Sequence, residues 1–249
     1  MFGKKFCLGD YYPEDQEIIY RYIPFWKFMH IVFQRKFYLS RGDQFNDPLE
    51  GKETKLSRNI RATVHNDEAF ASNSAYYDKN RICVAINCWY AGDTESLEMW
   101  ENFAPSPDGI AIRSTIHKLK KALSKDKNKL CIRKVEYVEN HDVEFTKFGC
   151  PFYPFSIKIS RDFKLESEIR VIYGDGKACM DESPLYNASV LDEVGVELNV
   201  DPSILIDTVI LSPKAPDWFL NSIQTIISCL KIDLKVKNSE LNVRHTYSF

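Results

Sequence analysis

The stretch Leu165-Glu166-Ser167-Glu168-Ile169-Arg170-Val171-Ile172 threads two glutamates and an arginine through an apolar run, and it constrains the fold more than any other segment. In an extended strand successive side chains alternate between faces, so residues two apart share one. The spacing predicts a strand over 165–173, with Glu166, Glu168 and Arg170 on one face and Leu165, Ile169 and Val171 anchored in the core. Three charged groups on one face of a central strand need ion-pair partners or a chemical task. A solvated strand face fits the same composition.

At 249 residues the chain can bury a core without disulfide or metal staples. A formal net charge of -2 creates no field that favours an anionic membrane, and it leaves nucleic acid neither recommended nor excluded as a partner. The seven cysteines are odd in number and form no Cys-x-x-Cys pair, which suits free thiols in a reducing compartment. No two of the five histidines stand at metal-ligand spacing, so no metal site is expected. The first residues lack the apolar stretch of a signal peptide, and no run approaches the roughly 20 apolar residues that span a bilayer. These features predict a cytoplasmic protein.

Along the chain, residues 17–23 read as a strand, and Pro24 opens a helix with an apolar stripe of Phe25, Phe28, Met29, Val32 and Phe33. A strand at 37–40 and a turn at Asn46-Asp47-Pro48 follow. Residues 51–80 are polar and read as a partly helical insertion. A strand at 82–89 precedes a short helix capped by Asp93-Thr94 and carrying Leu97, Met99, Trp100 and Phe103. A strand from Gly109 to Arg113 leads to a lysine-rich helix over about 115–129, whose charged face reads as solvated. Strands at 131–138 and 155–160 precede the Glu-x-Glu strand. Further strands at 194–200, 205–211 and 232–236, and a helix at 216–230, complete the pattern. One α+β domain over 1–249, a mixed β-sheet core with flanking helices, accounts for it.

Four segments together resemble a bacterial family, domain of unknown function 2971. They are Ile19-Tyr20-Arg21-Tyr22 with Phe37-Tyr38-Leu39-Ser40, then Phe45-Asn46-Asp47-Pro48-Leu49-Glu50, then Cys88-Trp89-Tyr90 with Met99-Trp100, Phe103 and Gly109, and last Lys158, Phe163, Glu166, Glu168 and Arg170. The resemblance spans about 18–215, with Phe103 where tyrosine is usual and Phe163 where tryptophan is usual. It names no activity, although membership points towards a toxin or antiviral defence effector.

The order of a basic residue on a first strand, a helix, a strand ending in serine and a later Glu-x-Glu strand also resembles the ADP-ribosyltransferase superfamily. That resemblance implies an ADP-ribosyltransferase-like sheet with NAD as substrate. Arg21 would hold the cofactor, Ser40 would support the nicotinamide ribose, and Glu168 would be catalytic. Asp201-Pro202-Ser203-Ile204-Leu205-Ile206 matches the segment that follows the catalytic strand. The departure is at Ser40, which is followed by Arg41-Gly42-Asp43 and not by Ser-Thr-Ser.

The residue types suit that chemistry. Cleaving nicotinamide from NAD passes through an oxocarbenium-like ribose, which a facing carboxylate such as Glu168 stabilises. Glu166 can position or deprotonate an acceptor, which is a macromolecule, a small molecule or water. The Arg21 fork suits a pyrophosphate. Tyr22, Tyr38 and Trp100 can stack on a ring of the nucleotide. Asn46 and Asp47, with Glu50, can form a polar pocket wall. Structural roles are open to the same residues: Arg21 can pair with Glu166 or Glu168, Arg170 with a neighbouring carboxylate, and Trp100 can be core. Asp47, Pro48 and Glu50 suit a helix start. Two further functions compete. One is a magnesium-dependent nuclease or phosphodiesterase using Asp47, Glu50, Glu166 and Glu168 with help from Lys158. The other is a non-catalytic sensing or interaction module in which the charged strand is architectural.

Overall fold

The computed structural model describes residues 12–52, 54–56, 59, 80–139, 152–159, 161–174, 190–191 and 193–241. Most of the insertion expected over 51–80 lies outside the described residues. So do residues 1–11, with the N-terminal segment lacking signal-peptide character, and the loop beyond Gly174. Among the described residues the strands form a nine-stranded mixed sheet and a separate two-stranded ribbon, and with the flanking helices they make an α+β fold. The chain divides into two compact units, one of residues 1–13, 38–88 and 126–197, the other of residues 14–37, 89–125 and 198–249. No helix among the described residues is long and apolar enough to cross a membrane.

In the second unit, β1 (Ile18–Ile23) lies antiparallel to β4 (Ile110–Thr115) from Ile18 opposite Thr115 to Ile23 opposite Ile110. Strand β10 (Thr208–Leu211) adds antiparallel to β4, and β11 (Lys235–Asn238) adds parallel to β10. The parallel pair needs a long crossover, and α5 (Asp217–Cys229) supplies it. Helix α1 (Phe25–Gln34) starts behind Pro24 as expected. Its inward stripe is Phe28, Ile31 and Val32, at helical spacing; Phe33 lies 140° around the helix from Phe28 and is exposed. Helix α2 (Leu97–Phe103) is capped by Ser96, whose hydroxyl accepts from the Met99 amide, and not by Asp93-Thr94. Met99 and Trp100 are its buried residues, while Leu97 and Phe103 are exposed. The lysine-rich helix α3 (Ile116–Ala122) is shorter than expected, and Ser124–Lys129 continue as a 3-10 turn. A short helix α4 (Pro202–Leu205) follows the Asp201 cap.

In the first unit, Ser40 and Arg41 of β2 (Lys36–Arg41) pair antiparallel with Ile86 and Ala85 of β3 (Val84–Ala91). Strand β8 (Glu168–Gly174) pairs with β3 and runs antiparallel to β5 (Leu130–Lys134). Strand β9 (Gly195–Asn199) borders β2, and the ribbon is β6 (Glu136–Val138) parallel to β7 (Ile157–Ile159). Val84, Ile86, Cys131, Phe152, Phe155, Ile157 and Ile172 close into one apolar core. None of Cys83, Cys88, Cys131 and Cys229 is in a disulfide.

The Asn46-Asp47-Pro48 turn delivers Glu50 to this core. The Asp47 carboxylate accepts from the Leu49 amide at 2.8 Å, and the Asp47 carbonyl accepts from the Glu50 amide at 3.2 Å. Gly51 then takes φ of 68°, and a Cβ there would stand 2.3 Å from the Phe155 ring. Left-handed strain and overpacking therefore coincide at Gly51. Gly51→Ala is expected to cost about 2–4 kcal/mol, measured by urea unfolding. A variant as stable as the parent would show that the turn and Phe155 are not tightly packed.

Candidate functional site

The strand expected over 165–173 begins only at Glu168. Residues Arg161–Glu166 form a 3-10 turn, and Ser167 takes a positive φ of 38°. That left-handed residue breaks the extended alternation. Glu166 therefore does not stand on the strand with Glu168, and Leu165 is 66% exposed where a core anchor was expected. Nor is the charged face of β8 solvated: Arg170 is fully buried and Glu168 nearly so.

Arg170 is the centre of the cluster. Its Nη1 and Nη2 grip Glu50 at 2.5 and 3.0 Å, its Nε and Nη2 grip Glu168 Oε2 at 3.0 and 2.8 Å, and Nη1 also donates to the Phe155 carbonyl at 3.0 Å. A guanidinium has five N–H donors, and these contacts use all five. The Phe45 ring lies 6.0 Å from the guanidinium carbon. Glu166 pairs with Lys158 at 2.7 Å, and the Lys158 ammonium stands 4.0 Å from the centre of the Phe163 ring. At the start of β8, the Tyr137 hydroxyl accepts from the Glu168 amide at 2.9 Å.

One guanidinium between two carboxylates leaves them unequal. Burial pushes the Glu50 carboxyl above its ordinary value despite Arg170. Burial opposes the charge on Glu168 too, but Arg170 and Lys158 together hold that carboxyl below its ordinary range. The Cys88 thiol is hydrogen-bonded to Glu168, and burial and that carboxylate push it well above its ordinary value, so it remains a neutral donor. Glu168 is thus the more readily ionised of the two, and it keeps 8% of its side chain exposed against 1% for Glu50.

Among the other expected residues, Ser40 lies on β2 opposite Ile86 and is half-buried, in the same unit as Glu168. Asn46 is exposed, and Asp47 caps the turn that carries Glu50. Arg21, Tyr22 and Trp100 belong to the second unit. Arg21 and Tyr22 are consecutive on β1 and so face opposite sides of the sheet, where they cannot serve one ligand together. Arg21 lies over the Phe37 ring at 5.7 Å. The Tyr22 hydroxyl accepts from the Ser96 amide at 2.8 Å, and its ring meets Trp100 edge-on at 5.0 Å. The Trp100 indole N–H donates to Glu95 at 3.1 Å, and both rings are buried.

Three contributors were not singled out from the sequence. Arg133 stands directly opposite Arg170 across β5 and β8, fully buried, with the Tyr12 and Tyr153 rings 5.5 and 5.9 Å from its guanidinium carbon. An arginine inside the apolar run Leu130-Cys131-Ile132-Arg133 was its signal. Cys88 figured only within the Cys88-Trp89-Tyr90 segment, with no role assigned to it, and Tyr137 carried no signal. Among the described residues no group of three or more His, Cys, Asp or Glu side chains is placed to hold one metal ion. No family model matches the chain, and no curated protein matches it.

Removing one partner from a buried charge cluster strands the others without solvent. Arg170→Met is expected to cost about 3–5 kcal/mol in urea unfolding, because two carboxylates lose their shared cation. The pH dependence separates the two carboxylates. Glu168, with a lowered folded value, gives stability that is present above the ordinary carboxyl value of 4.5 and lost as pH falls below it. Glu50, with a raised folded value, gives stability that is present below 4.5 and lost as pH rises above it. Unfolding free energies between pH 3 and 8 should therefore show Glu50→Gln removing the decline above 4.5 while the acid decline persists. An unchanged slope above 4.5 in Glu50→Gln would show that folding does not raise the Glu50 carboxyl.

Proposed function

We propose that the chain is an NAD-consuming enzyme of ADP-ribosyltransferase or NAD-glycohydrolase type, belonging with the family of domain of unknown function 2971 that its motifs resemble. The observation that carries this is the state of Glu168: a carboxylate held below its ordinary range, oriented through one oxygen by Arg170, and with 8% of its side chain exposed against 1% for Glu50. In the proposed step the bond between ribose C1′ and the nicotinamide nitrogen breaks. Its electron pair goes to the ring nitrogen and neutralises the pyridinium, and the positive charge left on the ribose faces Glu168. Water or an acceptor nucleophile then attacks C1′ and releases a proton, which Glu166, paired with Lys158 just outside the strand, is suited to accept. An effector role in a toxin or antiviral system and a cytoplasmic setting belong to the same proposal, the latter supported by seven cysteines with no disulfide among the described residues.

A magnesium-dependent hydrolase is less well supported, because Arg170 already fills the space between Glu50 and Glu168 that a cation shared by them would take. The complete satisfaction of Arg170 favours one other possibility, a non-catalytic module in which the cluster is architectural.

The test is nicotinamide release from NAD by purified protein in excess EDTA, beside Glu168→Gln and Glu166→Gln variants whose folding is checked by thermal melting. Wild type should release nicotinamide. A folded Glu168→Gln should lose about 10²–10³-fold, and Glu166→Gln should retain hydrolysis but lose transfer to an acceptor. Equal release by wild type and Glu168→Gln, or none by wild type with a cell extract as acceptor source, would leave the architectural role in possession of the cluster.

A further inference from the structure

The second unit holds a cavity of about 740 Å³ that contains none of the residues expected to bind or cleave NAD. Its floor follows from strand register. Tyr20 on β1 lies opposite Arg113 on β4, Arg113 opposite Thr208 on β10, and Thr208 opposite Lys235 on β11. Directly opposed residues share a sheet face, so these four form one row across four strands, and Lys237 joins the same face two residues beyond Lys235. All five line the cavity.

The charges on this floor are fixed in place. Asp207 accepts from Arg113 and, at 2.7 Å, from Lys118, so two cations share one carboxylate at this corner, while the lining as a whole sets Arg113, Lys235 and Lys237 against Asp93, Glu95, Asp207 and Glu240. The Tyr20 hydroxyl donates to the Asp93 carbonyl at 3.3 Å and stands beside Arg113. Lys237 pairs with Glu240, which also feels the charge of Lys235, although Lys235 makes no ion pair among the described residues. Asp93, Thr94 and Glu95 also line the cavity. Glu95 accepts the Trp100 indole N–H, the Ser239 hydroxyl at 2.6 Å and the Glu240 amide at 3.2 Å. A carboxylate has about four acceptor positions, so one remains for a hydroxyl donor.

Lysines on an edge strand discourage pairing with another chain, which accounts for Lys235 and Lys237 on β11 but not for the cavity above them. We infer that this cavity binds a phosphomonoester of sugar-phosphate or nucleotide size. Its phosphate would lie over Arg113, Lys235 and Lys237, and its hydroxyls would face Asp93, Thr94 and Glu95. A bare phosphate is too small for the space, which falls within the range of small-molecule sites. A guanidinium beside flexible ammonium groups suits a dianionic phosphate. The inference does not rest on the glycosidic chemistry, since no residue of the Arg170 cluster takes part.

The test is isothermal titration of the whole chain with ribose 5-phosphate, AMP, inorganic phosphate and glycine. Lys235→Met/Lys237→Met is the main variant, because both side chains lie on an edge strand, and Lys120→Met, paired to Asp15 outside the cavity, is the control. Ribose 5-phosphate or AMP should bind at least 10-fold more tightly than inorganic phosphate. That binding should weaken at least 10-fold in the double variant, persist in Lys120→Met, and be unchanged by Glu168→Gln. Equal affinity for inorganic phosphate would mean an adventitious ion only and would overturn the inference. So would the absence of phosphoester binding, binding of glycine in its place, or binding indifferent to the loss of Lys235 and Lys237.

Discussion

The five N–H groups of Arg170 connect pieces of chain that are far apart in sequence: Glu50 from the turn after β2, Glu168 from the start of its own strand, and the Phe155 carbonyl from the 3-10 turn before β7. A guanidinium with no water around it is tolerable only where every donor is met, because desolvation costs several kcal/mol per ion. That requirement propagates outward. Gly51 must take a left-handed conformation for the Glu50 turn to close over Phe155, and Tyr137 must meet the Glu168 amide where the strand begins. Architecture and any chemistry at Glu168 therefore use the same contacts.

Much of the fold was legible because apolar spacing and caps act locally. Pro24, Asp201-Pro202 and the β-branched run ending at Leu211 each mark an element that the structure contains. The errors have local causes. Ser96 outcompetes Asp93-Thr94 as the cap of α2 because its hydroxyl reaches the Met99 amide. Ser167 turns out of the β region, so the alternation that put Glu166 beside Glu168 fails one residue before the strand starts.

The site was legible in its parts and not in its pairing. Glu50 and Arg170 were both visible, but 120 residues separate them, and nothing in the sequence says that one grips the other. Alternation, applied to Glu168 and Arg170, holds. Applied equally to Arg21 and Tyr22, it sets them on opposite faces and divides the residues expected to hold NAD. The opposition of Arg133 to Arg170 and the Arg113–Lys235 row emerge only from cross-strand register, which a single sequence does not contain.

Charge is handled in opposite ways by the two groups of residues. Around Arg170 the donors are exhausted, so the guanidinium itself has no N–H left for a ligand, and only the partly exposed edge of Glu168 is open to chemistry. On the Arg113 row two cations share Asp207, Lys235 has no ion pair among the described residues, and the space above them is open. A saturated ion cluster can orient a reacting group but cannot recognise a charged substrate by direct contact, whereas cations facing open space can. The inferred phosphomonoester site rests on that difference.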